Sequence, residues 1–449
     1  MSEQLLQLKT IILNPSADED TFVRSVGSYI DLASKFNINE EVRFAINLLE
    51  TRKNSIASEN NKCLLHYFLA VAYSDVYKNT ITQTDKDWDW EQELVEKELK
   101  NLRLAYQFAS PEIDDQITSN ILINLSNRLD SLGRFILSFD FWNKALEHSS
   151  FLGMVAVNLA NSLMYYGLNY INDKKYQVVF IQLAHQYFTN GLRKPLFPGV
   201  ESQVKKRLIA IEKNYNEILD YRFYKEDLII DYENEKYSEW CTKKSLWLNP
   251  ISNLNPKIDC NKDDLKFIHS NIEFVDFFET IKRDYIFCRR QFFDSLAAAD
   301  NDEAENLKKS SFKNAYSIFD KITYLLSGVL ELDETNSSRL SYNRIWYTKL
   351  EKSKGIRALL IEKRNLMLRA LYWVSKDIYL NEYGFQNIIE PNAKEINTIR
   401  NYMEHKSFKF GTRFEQGFSL QMPVEEFDAN TLKLLKLVRE CLIYSAYYV

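Results

Sequence analysis

Glycine and proline are scarce, with 11 Gly and 8 Pro in 449 residues. These residues supply the special backbone angles of tight turns, so a β-sandwich or a glycine-rich nucleotide fold is hard to build from this chain. Cysteine is sparse too. Cys63, Cys241, Cys260, Cys288 and Cys441 lie far apart, with no C-x-x-C and no His at metal spacing beside them, which points to reduced packing thiols. No run reaches about 18 uninterrupted apolar residues, and the opening MSEQLLQLKTIILNPSADED lacks a basic lead before a long apolar stretch. A soluble, cytoplasmic protein without a membrane partner is therefore expected. A basic excess is also missing. The net charge of −5 excludes a protein that coats nucleic acid with its whole surface and confines any polyanion contact to a local patch.

Apolar residues make up 45% of the chain and include 27 Tyr and 28 Phe, enough for sizeable cores in which rings interlock between helices. Long helices are the economical reading of such a composition, so the expected fold class is all-α. From Ile121 the chain reads ILINLSNRLDSLGRFILSFDFWNKALEHSS. Small and apolar residues fall there at the offsets of a helix-turn-helix repeat of about 34 residues. Leu125, Ser126 and Leu129 face inward on the first helix, Gly133 makes the turn, Ser138 permits close approach, and Trp142, Ala145 and Leu146 close the second helix. This segment resembles the tetratricopeptide (TPR) repeat, with Ser126, Ser138 and Ser150 in place of the commoner Gly, Ala and Pro. Weaker copies supply Leu69, Ala70 and Tyr73 upstream and Leu159, Ala160, Leu163 and Gly167 downstream, and a poorer one begins near Ser25-Val26-Gly27. A TPR-like helical repeat domain is expected over 1–230, its concave face open to a protein or peptide partner. His66, His148 and His185 carry no partner pattern and read as structural.

Between 231 and 262 the helical periodicity breaks. Trp240, Leu246, Trp247 and Leu248 in a polar setting predict a docked junction segment, not a flexible linker. Periodicity returns over 263–449 and predicts a helical bundle. The expected helices are Asp263 to Ala299, Asp302 to Leu332, Arg339 to Leu380 with Gly355 inside it, a short one opening at Asn392 with Glu395 as a capping box, and a last one from about Asp428. Between Arg339 and Lys376 the third carries ten basic residues against Glu351 and Glu362. That surplus reads either as a groove for RNA phosphates or as a solvated face paired with acidic neighbours. Arg357 and Arg364, with Lys406 further on, are the candidate phosphate contacts.

The short helix ends in IRNYMEHKSF. Ile396, Ile399 and Met403 form its inward stripe, while Asn401 and His405, four apart, share another face that the long side chain of Arg400 can reach. A permanent cation, an amide and an imidazole then converge at a helix terminus. That set suits cleavage of an RNA phosphodiester: the guanidinium holds the phosphate, and the imidazole moves the proton of the 2′-hydroxyl or of the leaving oxygen. Neither a metal nor a cofactor is called for. The alternative is local, with Arg400 pairing with Glu404 at i, i+4 and His405 simply ending the helix.

A helical bundle with R-N-x-x-x-H at Arg400, Asn401 and His405 resembles the HEPN superfamily, whose nuclease members share an R-x4-6-H motif. The repeats ahead of the bundle are similar to a bacterial branch in which repeats precede the HEPN module. The resemblance implies a HEPN-like bundle, a homodimer with a composite active site, and RNA cleavage in anti-phage defence or as a toxin. A related set carries a Tyr two positions after the His, where Ser407 stands here. Two functions stay open at this point. One is a metal-independent endoribonuclease whose repeats sense a partner or trigger; the other is a non-catalytic adaptor whose bundle only dimerises.

Overall fold

The computed structural model describes residues 3–81, 88–110, 113–148, 152–220, 235–252, 254, 263–332, 338–378 and 393–448. Short polar side chains start many of its helices. Asp18, Asp114, Asp173, Asn271, Asp300 and Asn365 each accept a hydrogen bond from the first free backbone N–H groups of the helix that follows. Seventeen α-helices result among the described residues, with one small sheet, and the fold is all-α.

The first ten helices pack as successive antiparallel pairs. These are α1 (Glu3–Ile12), α2 (Glu19–Lys35), α3 (Asn39–Arg52), α4 (Glu59–Ile81), α5 (Glu93–Phe108), α6 (Asp115–Ser131), α7 (Phe135–His148), α8 (Leu152–Asn169), α9 (Lys174–Leu192) and α10 (Val200–Asp220). The strongest packing joins α4 to α5, α6 to α7 and α8 to α9, and makes a helical solenoid. Leu125, Leu129, Trp142 and Ala145 are buried between α6 and α7, and Leu159, Ala160 and Leu163 face inward on α8. Ser126 and Ser138 donate their hydroxyls back to the Leu122 and Phe135 carbonyls, which lets each stand where a smaller residue is commoner. Gly133 turns the chain at φ +87°, and a Cβ there would lie 2.3 Å from the Leu366 carbonyl oxygen of the bundle. Only glycine meets both demands. Ser150 and Cys260 lie outside the described residues; the other four cysteines are buried thiols.

Of the expected junction, residues 235–252 and 254 are described. It forms α11 (Glu235–Lys243), and Leu246, Trp247, Leu248 and Ile251 are buried. Two buried arginines from the bundle bind its backbone. Arg289 donates to the Leu246 carbonyl at 2.9 Å, the Tyr237 hydroxyl at 2.8 Å and Asp263 at 2.6 Å, while Arg439 donates to the carbonyls of Trp247 and Asn249.

The C-terminal part is a helical bundle of α12 (Ile272–Ala297), α13 (Asn301–Val329), α14 (Ala358–Glu362), α15 (Leu366–Ser375), α16 (Ala393–His405) and α17 (Val424–Tyr447). Two expectations need correction. The first helix begins at its Asn271 cap, not at Asp263, because 264–269 runs extended and seats Phe267 on Phe278. The stretch from Arg339 to Leu380 is not one helix. Lys349, Leu350, Gly355 and Arg364 all adopt positive φ, so the chain turns through two short 3-10 segments and α14 before α15 begins. Asn392 and Gly384 lie outside the described residues.

The basic surplus of that stretch is partly internal. Arg369 is buried over the Trp88 ring and donates to the Asp89 carbonyl, and Lys376 is buried against Glu96. Trp88 and Asp89, between α4 and α5, thereby meet α15. A single hydrophobic core continues from α5 through the junction into α17, whereas α1 to α4 enclose a core of their own. Where repeats meet bundle, four charges are buried together. Arg103 of α5 grips Asp377 with two hydrogen bonds of 2.6 and 2.8 Å, and Arg134 joins Asp377 to Glu440 of α17. Burial alone would raise Asp377, but Arg103 and Arg134 hold it well below the usual carboxylate range. Burial raises Glu440, with Arg134 opposing.

Removing one partner of this network strands a buried charge, so Asp377→Ala should cost about 3 to 5 kcal/mol in urea unfolding of the whole chain. A loss under about 1 kcal/mol, typical of a surface pair, would show that water reaches the network. Asp130 makes a separate prediction. Burial pushes its carboxyl up to about 7, with the Ser162 hydroxyl partly offsetting. The folded state therefore holds a proton that the unfolded chain has released, and stability contributed by Asp130 falls as pH rises from its unfolded value to about 7. Asp130→Asn should flatten that slope in melting temperature against pH; an unchanged slope would assign it to other groups.

Candidate active site

The site helix α16 is fixed by its apolar side. Ile396 and Ile399 are fully buried, Tyr402 is nearly so, and Met403 packs against the core, so the stripe predicted from the sequence is the one that anchors the helix on α13 and α17. The polar residues occupy the remaining arc. Arg400 is half-buried: its Nη1 donates to Asn401 Oδ1 at 3.2 Å, and its Nη2 lies 3.4 Å from Glu404 Oε2. Beneath it the Tyr316 ring of α13 stands 5.5 Å from the guanidinium carbon, a cation–π contact. Its Nε is buried without a hydrogen-bond partner among the described residues.

Asp320, one turn beyond Tyr316, shares this field. Neighbouring protein displaces water from it and raises its pKa, Arg400 lowers it, and Glu404 raises it again. Two carboxylates and one guanidinium therefore crowd the gap between α13 and α16. Asn401 is half-buried and His405 is exposed on the last turn. The structure brings Arg400 and Asn401 into contact. Among the described residues, no hydrogen bond joins His405 to either. Five residues along a helix turn His405 well away from Arg400, while Asn401 and His405 share one face.

Beyond His405 the chain forms a three-stranded sheet that the helical reading missed. Its strands are β1 (Ser407–Phe410), β2 (Phe414–Gln416) and β3 (Ser419–Met422), in the order β1-β3-β2, with β1 and β3 parallel and Ser407 opposite Ser419. The signal was present in the alternation of Phe408 and Phe410 between polar neighbours, bounded by Gly411 and Gly417. Both rings pack on Phe427 of α17, at 5.3 and 5.1 Å. Arg413 ties the sheet back to α16 through Glu395 and to α17 through Glu426. On the outer side Phe418 is 79% exposed and Phe414 46%, an uncovered apolar edge next to the site.

Lys406 extends from the same end of α16, over the Tyr402 ring at 4.5 Å, with its Nζ 3.4 Å from the Gly417 carbonyl. Arg364 is exposed after α14, and Arg357 donates its Nε to the Ile345 carbonyl at 2.7 Å. Sequence reasoning did not find Tyr316 and Asp320, which become visible only as an i, i+4 pair on α13 facing α16. Among the described residues no three His, Cys, Asp or Glu side chains gather as metal ligands, and no helix is long and apolar enough to cross a membrane.

Comparison with known sequences matches residues 265–449 to the family described as LA2681-like HEPN. Neither a curated protein nor a solved structure matches the chain. The matched residues hold α12 to α17, the small sheet and the Arg400-Asn401-His405 motif, and the match supports a HEPN-superfamily domain there.

Proposed function

We propose that the protein is a metal-independent endoribonuclease, with Arg400, Asn401 and His405 as its catalytic residues and a second copy of the bundle completing the site. The observation that carries this reading is the Arg400 guanidinium, held by Asn401 and the Tyr316 ring, on the same short helix as an exposed imidazole, five residues on, within a HEPN domain. Arg400 receives the scissile phosphate and stabilises the charge that develops on it. Glu404 does not prevent this, because an i, i+4 pair at a half-exposed position is worth only about 0.3 to 0.5 kcal/mol, less than a bidentate phosphate contact. His405 takes the proton of the RNA 2′-hydroxyl or supplies one to the departing 5′-oxygen. Asn401 orients Arg400. The half-open arrangement in one chain and the uncovered Phe414 and Phe418 beside it suit a site that a partner copy closes. Lys406, beside His405, is the proposed phosphate contact at the site; Arg357 and Arg364, also proposed, lie toward the other end of α17, where the neighbouring Asn365 donates to the Tyr448 carbonyl, and would hold phosphates away from the scissile one.

In this reading the repeats sense a protein or peptide partner or another trigger, and the cleavage serves bacterial anti-phage defence or a toxin-type system in the cytoplasm. The Arg400–Glu404 pair also favours a second reading, a non-catalytic adaptor in which that pair merely steadies α16.

Incubation with RNA in EDTA separates them. The nuclease should leave 2′,3′-cyclic phosphate ends, spare DNA and scatter light as a dimer. Arg400→Ala and His405→Ala should each lose about a hundredfold or more of the rate with helical content unchanged, and Asn401→Ala should lose less. Cleavage that stops in EDTA or leaves 3′-hydroxyl ends would refute the mechanism, and a strict monomer in the presence of RNA would refute the composite site.

A further inference from the structure

A cleft of about 640 Å³ opens between the repeats and the bundle, directly above the buried Arg103, Arg134, Asp377 and Glu440 network. The charges of its floor compensate one another. At its mouth the described lysines outnumber the described carboxylates. Lys144 of α7, Lys243 at the end of α11, and Lys433 and Lys436 of α17 line it, against Asp140 and Glu147. Lys436 is half-buried. Burial lowers its pKa, Asp140 opposes, and the nearby charges of Lys144, Arg439 and Lys244 lower it further. Ammonium groups that outnumber the described carboxylates lining the same cleft favour an anion there. The cleft falls within the range of about 300 to 1,000 Å³ that holds small organic ligands. On its repeat side Tyr106 and Phe141 meet edge to face at 5.9 Å, with the Lys144 ammonium 5.2 and 5.3 Å from their centroids.

We propose that this cleft binds a small oligophosphate, whose charges span Lys144 on the repeats and Lys436 on α17. Seated there, the ligand joins the repeats to α17, which packs on both α13 and α16 of the candidate site. The binding does not rest on the ribonuclease reading. A free oligophosphate and the phosphate tail of a nucleotide share this chemistry; the aromatic pair would favour a nucleotide by giving its base a surface.

Calorimetric titration of the full chain, without divalent ions, with tripolyphosphate, ATP and adenosine tests the site. Tripolyphosphate and ATP should bind once per chain and raise the melting temperature, and adenosine should not bind. Lys436→Gln should weaken both ligands by about tenfold or more, the loss of one charge-assisted contact. Lys144→Gln, at an exposed position that leaves folding intact, should weaken them by about threefold or more. Tighter ATP than tripolyphosphate assigns the nucleotide as the source, and equal affinity assigns the free oligophosphate. The proposal is overturned if neither anion binds at about 1 mM, or if binding is indifferent to both substitutions.

Discussion

The salt-linked contact between Arg103, Arg134, Asp377 and Glu440 sets the geometry on which the rest of the molecule depends. Taking four charges out of water is expensive, and their mutual attraction compensates only when the hydrogen-bond geometry is good. The repeats therefore have one acceptable seat on the bundle: a slide of an ångström or two would leave a guanidinium or a carboxylate buried and unpaired. Apolar contacts such as Phe135 on Tyr444 at 5.6 Å supply much of the attraction but tolerate small shifts. The charges supply the register. Because Glu440 lies on α17, fixing it fixes the helix that carries Phe427, on which the small sheet rests.

The candidate site inherits this order while remaining adjustable at its tip. The backbone of α16 is held by Ile396 and Ile399, which are fully buried, and by the Arg413 tie to Glu395. Arg400, Asn401 and His405 sit away from that buried stripe and are half-buried or exposed. A rigid helix with exchangeable polar ends suits recognition of a phosphate chain, because the ligand replaces weak contacts without disturbing strong ones. Tyr316 adds a support that uses none of the guanidinium N–H groups, since its ring attracts the cation through its π face.

What could be read from residue order was what depends on near neighbours. The α6–α7 pair was legible because Leu125, Gly133, Trp142 and Ala145 stand at fixed offsets, and the stripe of α16 because Ile396, Ile399 and Met403 recur at helical spacing. The adjacency of Arg400 and Asn401 followed from the same spacing, as did the Glu404 pair. The break in the stretch after Arg339 was not legible, because the positive φ angles fall on Lys349, Leu350 and Arg364 as well as on Gly355. Lysine, leucine and arginine give no compositional sign of such a turn; tertiary contacts impose it. Arg369 and Lys376 were read as surface charge for a related reason. Their partners, Trp88 and Glu96, lie far away in sequence, and only the folded chain brings them to α15.

Gly133 is where the turn of one repeat touches the backbone of the bundle, with no room for even a methyl group before the Leu366 carbonyl. In most repeat arrays a turn faces solvent, so units can be added, deleted or exchanged with little consequence. Here the α6–α7 turn is moulded to its neighbour. An exchange of the repeat array for one from another protein would have to bring both a glycine at this turn and arginines at the places of Arg103 and Arg134. The two halves are therefore expected to be inherited as a unit, and insertions in the lineage to accumulate among the first helices, whose core is their own.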